Sequence, residues 1–189
     1  MISNTNTLEK IKNTNRVHQN KKSIDQINNW DQRVVQVLRV TKVVKGGKKL
    51  SFRVTVVVGN RNSQIGVGVG KATEVLTAMN KGVNDAKKNI ITIPLTKTNT
   101  IPHNIIGVDG ASKVLLRPAG PGTGIIAGSS IKFVLEFAGI QNILAKQLGG
   151  NNLLNNARAT IIALKALKTP KQVAEEREIP LERIFSYGK

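Results

Sequence analysis

The stretch from residue 33 to residue 58 constrains the fold more than any other. Leu50, Phe52, Val54, Val56 and Val58 alternate with Ser51, Arg53 and Thr55, the period of a strand with one buried face. The preceding arm, Arg33 to Val44, is equally dense in β-branched residues, which suit a pleated surface. Between the arms stands Lys45-Gly46-Gly47-Lys48-Lys49. Its two glycines can take the positive φ values that a tight hairpin turn demands. The pattern therefore predicts an antiparallel hairpin whose turn projects Lys45, Lys48 and Lys49 on a stiff support. With no acid in either arm, such a cluster of ammonium groups seeks an anionic partner.

Composition points the same way. The 189 residues carry a formal net charge of +18. From Gln32 to Lys168 there are twenty Lys and Arg against Glu74, Asp85, Asp109 and Glu136. Such an excess penalises a compact chain by self-repulsion unless an anion neutralises it. Nucleic acid is the leading partner and a membrane surface the second. A membrane reader normally sets a basic helical face against bulky apolar residues, whereas these cations fall on a hairpin, on loops and on helices whose apolar faces serve a core. Aromatics make up 3% of the chain, too few for stacking unpaired bases; shape and phosphate recognition of structured RNA fits better. With no cysteine, a disulfide framework, a thiolate nucleophile and Cys-ligated zinc are excluded.

Read in order, residues 1–29 are rich in Asn, Lys, Gln and Thr and predict a basic, disordered arm. After the hairpin and the turn Gly59-Asn60-Arg61-Asn62 comes Gln64 to Gly70, a third strand whose Gly66, Gly68 and Gly70 leave one face bare. A bare face marks close approach by another backbone or a ligand; tight packing and an RNA backbone both fit. Lys71 to about Asn89 predicts a helix with a Leu76, Met79, Val83, Ala86 stripe, and Ile90 to Ile93 a short strand. Pro94 to Pro102 reads as a joint between domains. Beyond it come a hairpin (Asn104 to Val108, Ser112 to Arg117) and the loop Pro118 to Gly124. A helix follows Ser129-Ser130, Asn142 to Ala145 gives a brief strand, and Asn152 caps a last core helix. Thr169-Pro170-Lys171-Gln172 has capping-box form and opens a short acidic tail helix.

Enzymatic motifs fail on spacing. Gly66 to Thr73 resembles a phosphate loop, but three residues separate Gly66 from Gly70 and Ala72 follows Lys71, where a Walker loop needs four residues and a hydroxyl. Gly120-Pro121-Gly122-Thr123-Gly124 precedes a helix, so its amides are candidates for an anion, a rigid loop or a close protein contact. His18 and His103 are the only histidines, and no His or carboxylate pair has metal-ligand spacing. No catalysis, cofactor, metal or small-molecule substrate is expected.

Several motifs in order resemble one family. Arg39-Val40-Thr41-Lys42-Val43-Val44-Lys45-Gly46-Gly47-Lys48-Lys49-Leu50-Ser51-Phe52 is similar to the signature of small-subunit ribosomal protein five of bacteria and plastids. The likeness continues through Val56 to Gly59, Gly66 to Lys71, Gly122 to Gly128, Asn142 to Lys146 and Arg158-Ala159-Thr160. It implies an α+β chain: a double-stranded-RNA-binding-like domain at 30–93 (three-stranded sheet plus helix), a linker at 94–103, an α/β domain of βαββα-like order at 104–168, and a C-terminal helix and tail at 169–189. It implies a structural constituent of the small ribosomal subunit that aids assembly and translational accuracy, with ribosomal proteins four and eight as neighbours and protein three near the path by which mRNA enters. The rRNA-binding set it suggests is Arg39, Lys42, Lys45, Gly46, Gly47, Lys48, Lys49, Arg53, Arg61, Lys71, Lys113 and Arg117. Gly122, Thr123, Gly124 and Lys132 fall on the protein-four side. The long Asn/Lys-rich arm resembles plastid-encoded copies and points to the plastid stroma, with a bacterial cytoplasm as the alternative. A free double-stranded-RNA regulator or RNA chaperone is the alternative function.

Overall fold

The structure, a computed structural model, describes residues 30–96 and 98–186, with side-chain surroundings to residue 184. The arm expected over residues 1–29 lies outside the described residues. From Asp31 the described residues form one compact unit.

The first sheet has the order β1 (Asp31–Val44), β2 (Gly47–Gly59), β3 (Gln64–Ala72) and β4 (Ile91–Thr92), all antiparallel. It thus has four strands; Ile91 and Thr92 add to the three-stranded sheet by pairing with Ile65 and Gln64. The hairpin turn falls on Lys45-Gly46, with Val44 opposite Gly47 and φ of 94° at Gly46. That positive φ is open to glycine at no steric cost. Helix α1 (Val75–Lys88) packs on one face of the sheet.

Two expectations change here. Lys71 belongs to β3, not to the helix: Arg53 opposite Lys71 and Phe52 opposite Ala72 keep the chain in the ladder to Ala72. The buried column of α1 is Ala78, Gly82 and Ala86, whereas Leu76 is 71% exposed. Glycine explains the shift. A Cβ at Gly66 would land on the Ala86 carbonyl oxygen, one at Gly68 on Gly82 and Ala86 backbone atoms, and one at Gly70 on the Ala78 carbonyl oxygen. Backbones this close admit only small residues on the helix, so the bare strand face is filled by α1 and is not open to RNA.

The one-sided burial expected of the second arm also gives way. From Val54 to Gly59 every residue of β2 is buried. Val54 and Val56 face α1, while Val57, with Ile65 and Val67, joins a core that includes Val114, Leu116, Ile131 and Leu135 of the second half. Both faces of β2 are covered because two different segments pack on them.

The second sheet has the order β5 (Ile105–Asp109), β6 (Ser112–Pro118), β8 (Ile143–Gln147) and β7 (Ile125–Ile126), with only the β7–β8 pair parallel. Helices α2 (Ser129–Phe137) and α3 (Leu153–Lys165) follow β7 and β8. The α+β class holds, but the element order is βββαβα where βαββα-like was implied. The opening hairpin adds a strand before any helix, and Ile125-Ile126 crosses through α2 to its parallel neighbour β8. Asn152 caps α3 by accepting the Leu154 N–H at 3.1 Å, and Leu154, Ala157 and Leu164 bury their side chains. Within Pro94 to Pro102, Ile101 is 1% exposed in the shared core, as is Ile93 just before it at 2%. Thr169 and Gln172 form the expected capping box on α4 (Pro170–Glu176), and α5 (Leu181–Ser186) follows.

Candidate nucleic-acid interface

The hairpin leaves the core at a β-bulge between Val34 and Gln36; bulges bend and twist a strand. Beyond Val54, the last fully buried residue toward the tip, eight residues lead to Gly46. That is a reach of roughly 25 Å at strand rise. Directly paired residues share a face. Lys42 opposes Lys49, and Arg53 lies between Leu38 and Lys71. The alternation therefore puts Lys42, Lys49, Arg53 and Lys71 on one face, Arg39 and Lys48 on the other, and Lys45 at the turn. Lys42, Lys45, Lys48, Lys49, Arg39 and Lys71 are exposed and Arg53 half-buried.

None of these seven cations has an ion pair among the described residues. Three of the acids are engaged elsewhere. Glu136 pairs with Arg33 at 3.6 Å, Asp31 with Arg61 at 2.7 Å, and Asp85 accepts the Val69 N–H at 3.0 Å, capping a free edge amide of β3. The tip is thus a concentrated positive charge with no internal anion to quench it, on a support fixed by a continuous ladder. Gly46 and Gly47 have nothing within 4 Å of an added Cβ, so a backbone or phosphate can approach the turn closely.

This arrangement meets a direct comparison. The profile of ribosomal protein S5, N-terminal domain, matches residues 30–94, and that of ribosomal protein S5, C-terminal domain, matches residues 107–177. The chain belongs to the ribosomal protein S5 family. It is 60% identical over 165 residues to small ribosomal subunit protein uS5c of Porphyra purpurea, covering 87% of this chain and 95% of that one. Small ribosomal subunit protein uS5 of Thermosynechococcus vestitus is 59% identical over 167 residues, covering 88% and 96%. Small ribosomal subunit protein uS5 of Nostoc punctiforme is 56% identical over 172 residues, covering 91% and 98%. This is a family of ribosomal structural proteins and not of enzymes.

The remaining S5-like site residues are not with the hairpin. Arg61 sits in the β2–β3 loop, at the opposite end of β2 from the tip. There its guanidinium pairs with Asp31 and lies 5.8 Å from the Phe137 ring centroid. Its backbone N–H donates to the Phe137 carbonyl at 3.0 Å, and Ser63 N–H to that of Ala138 at 3.0 Å. Arg61 thus fastens the first sheet to the end of α2. Lys113 and Arg117 point outward from β6 in the second sheet.

Gly122, Thr123 and Gly124 stand together just before β7, and exposed Lys132 lies on the first turn of α2. The loop is held from below. Asn142, 8% exposed, accepts the N–H of Gly122 at 3.0 Å and of Gly124 at 3.2 Å through one carboxamide oxygen. Thr100 donates its hydroxyl to the Asn142 carbonyl, and the Thr123 hydroxyl donates to that of Gly120 at 2.9 Å. With those amides occupied, the loop is a rigid surface feature and not an anion cradle. Sequence reasoning placed Asn142 in a strand motif and gave it no role, because the amides it serves lie about twenty residues upstream. Replacing Asn142 with Leu is expected to leave both amides without an acceptor, costing about 1–3 kcal/mol. Hydrogen exchange at Gly122 and Gly124 should quicken accordingly, and Asn142→Asp, which keeps the acceptor, should preserve protection. Unchanged exchange in the Leu variant would show that something else holds the loop.

His103 has a structural role: its Nε2 accepts the Lys168 N–H at 3.2 Å. Among the described residues no group of His, Asp or Glu is arranged to hold a metal ion, and no helix is long and apolar enough to cross a membrane.

Proposed function

We propose that this chain is a structural constituent of the small ribosomal subunit that holds small-subunit rRNA with the extended hairpin. The observation that carries this reading is the tip itself: Lys42, Lys45, Lys48 and Lys49, with Arg39, Arg53 and Lys71 at its base, exposed or half-buried and without an acidic partner. Relatives about 60% identical over nearly their whole length are named as small ribosomal subunit proteins. Binding here is electrostatic positioning on phosphate, with Gly46 and Gly47 letting the backbone close on the RNA. Arg61, paired with Asp31 at the opposite end of β2, stands apart from this tip set.

The family resemblance extends the reading to assembly and translational accuracy. It gives ribosomal proteins four and eight as neighbours, and protein three where mRNA enters. The loop at Gly122 to Gly124, with Lys132, is the surface assigned to protein four; its rigidity suits a contact whose geometry affects decoding. The plastid ribosome is the proposed location. The Asn/Lys-rich arm and the uS5c relatives of Porphyra purpurea and Pyropia yezoensis support it.

Sucrose-gradient sedimentation tests the reading. The tagged full chain is expected to travel with small subunits and to stay with them through a high-salt wash. A chain found only at the top of the gradient would instead indicate a free RNA-binding protein.

A further inference from the structure

Two cations at the foot of the hairpin are answered from within the chain. Arg33 lies over the Phe133 ring, 4.7 Å from its centroid, and meets Glu136 at 3.6 Å. Arg61 meets Asp31 at 2.7 Å and lies 5.8 Å from the centroid of the Phe137 ring. Phe133, Glu136 and Phe137 stand at i, i+3 and i+4 of α2 and so share one face. Two guanidiniums, two carboxylates and two rings thus form a neutral set. The tip cations have no ion pair among the described residues. A phosphate arriving at the foot would meet Asp31 and Glu136 together with the arginines.

The backbone is fastened at the same place. The end of α2 closes on itself through Gly139, whose N–H donates to the Glu136 carbonyl at 3.1 Å, and Ile140, whose N–H donates to that of Leu135 at 3.1 Å. This is the pattern of a helix ending in a left-handed glycine. It leaves the Phe137 and Ala138 carbonyls, which a helix end cannot satisfy internally. The β2–β3 loop satisfies them with the Arg61 and Ser63 N–H groups, each at 3.0 Å. To aim those amides, Arg61 and Ser63 take φ of 55° and 65°, a region few non-glycine residues enter. The approach is so close that a Cβ on Gly59 would land on the Phe137 carbonyl oxygen, and one on Gly139 on that of Arg61.

The position of this clamp makes it a fulcrum. It grips the hairpin at Asp31, Arg33 and Gly59, on the core side of the bulge between Val34 and Gln36. Phe52, opposite Ala72, is the last residue of β2 paired to β3. From there the hairpin runs on for roughly 20 Å to Gly46 without a third strand. A swing of about 10° at the foot would carry the tip about 3 Å or more, beyond what a charge-assisted hydrogen bond tolerates.

We propose that Arg33 and Arg61 are positioning residues: they set the direction of the hairpin by locking its foot to α2, and do not themselves take phosphate. The proposal rests on the reading that the hairpin holds rRNA, and the experiment separates the two. The 189 residues contain no cysteine. Nitroxide labels on Val43→Cys near the tip and Ile106→Cys on β5, native positions 73% and 55% exposed, therefore report one tip-to-body distance by pulsed dipolar spectroscopy. The labelled full-length parent is expected to give a single narrow distribution. Arg33→Met with Arg61→Met, which keeps the apolar stems, should broaden it. So should Gly139→Ala, which crowds the Arg61 carbonyl and changes no charge. In the unlabelled chains, both variants should bind naked small-subunit rRNA about 10-fold more weakly, because a hairpin not held ready must be ordered on binding. The slope of log K against log salt should stay at the parent's value, whereas two lost phosphate contacts would flatten it by about 1.8. An unchanged distance distribution in the double Met variant overturns the proposal. So does a flattened slope, or a broadened distribution with parental affinity. The double Met variant decides alone if Gly139→Ala fails to fold. A parent chain without salt-dependent rRNA binding overturns the functional reading and this role with it.

Discussion

Gly68→Val is expected to destabilise the chain by about 4 kcal/mol or more, in the range reserved for a failure of core packing. A Cβ at Gly68 falls on backbone atoms of Gly82 and Ala86, and backbone has no rotamer with which to move aside. The facing column is already reduced to Ala78, Gly82 and Ala86, and a Cβ on Gly82 would itself meet Val56 at 3.0 Å. The helix has to lift away from the sheet, exposing Val54 and Val56 along its length. Thermal unfolding should show a Tm lowered by roughly 10 °C or more. Gly120→Ala is the matched control: an added Cβ there has nothing within 4 Å, so its stability should stay within about 0.5 kcal/mol of the parent. A Gly68→Val chain that unfolds like the parent would refute the close helix–sheet contact.

The local parts of this fold were legible because they are written in period and turn chemistry. The strand over β2, the glycine turn after Val44, the Asn152 cap and the Thr169 capping box each depend on a few adjacent residues, and each appears in the structure. The misjudged parts depend on what lies across a gap. Leu76 has the right spacing for an apolar stripe. The glycines of β3, however, bring the helix so close that Ala78, Gly82 and Ala86 take the buried side and rotate Leu76 into solvent. The outward positions of β2 look solvated by alternation alone, yet Thr55 and Val57 are 4% and 0% exposed because the second half packs over them.

The candidate site divides in the same way. The hairpin cations are close in sequence, and pairing of adjacent arms brings them together without help from the rest of the chain. Arg61 reads as one more cation in a turn, but its partner Asp31 lies thirty residues upstream across the ladder, where Asp31 is opposite Gly59. Lys113 and Arg117 likewise stand away from the hairpin, on β6 of the second sheet, where the register sets Ile106, Leu144 and Ile126 on the same face.

The largest expected functional effect belongs to the hairpin tip. Replacing Lys45, Lys48 and Lys49 together with Glu reverses the charge where no internal acid or base can compensate. All three side chains are exposed, so the fold itself should be little changed. A charge-assisted contact is worth about 1.5–3 kcal/mol; even with part of that recovered by solvent, affinity for naked small-subunit rRNA should drop by about 100-fold or more. The salt dependence distinguishes lost phosphate contacts from general damage. Each contact contributes about 0.9 to the slope of log K against log salt on a duplex, so three lost contacts should flatten that slope by roughly 2–3 units.

That slope, measured side by side for the parent chain and the Lys45, Lys48, Lys49 to Glu variant, bears most directly on the claim that a rigid hairpin delivers unpaired cations to structured RNA. Weaker binding with a flattened slope is the predicted result. Equal affinity and equal slope for the two chains would contradict it and remove the hairpin from the interface.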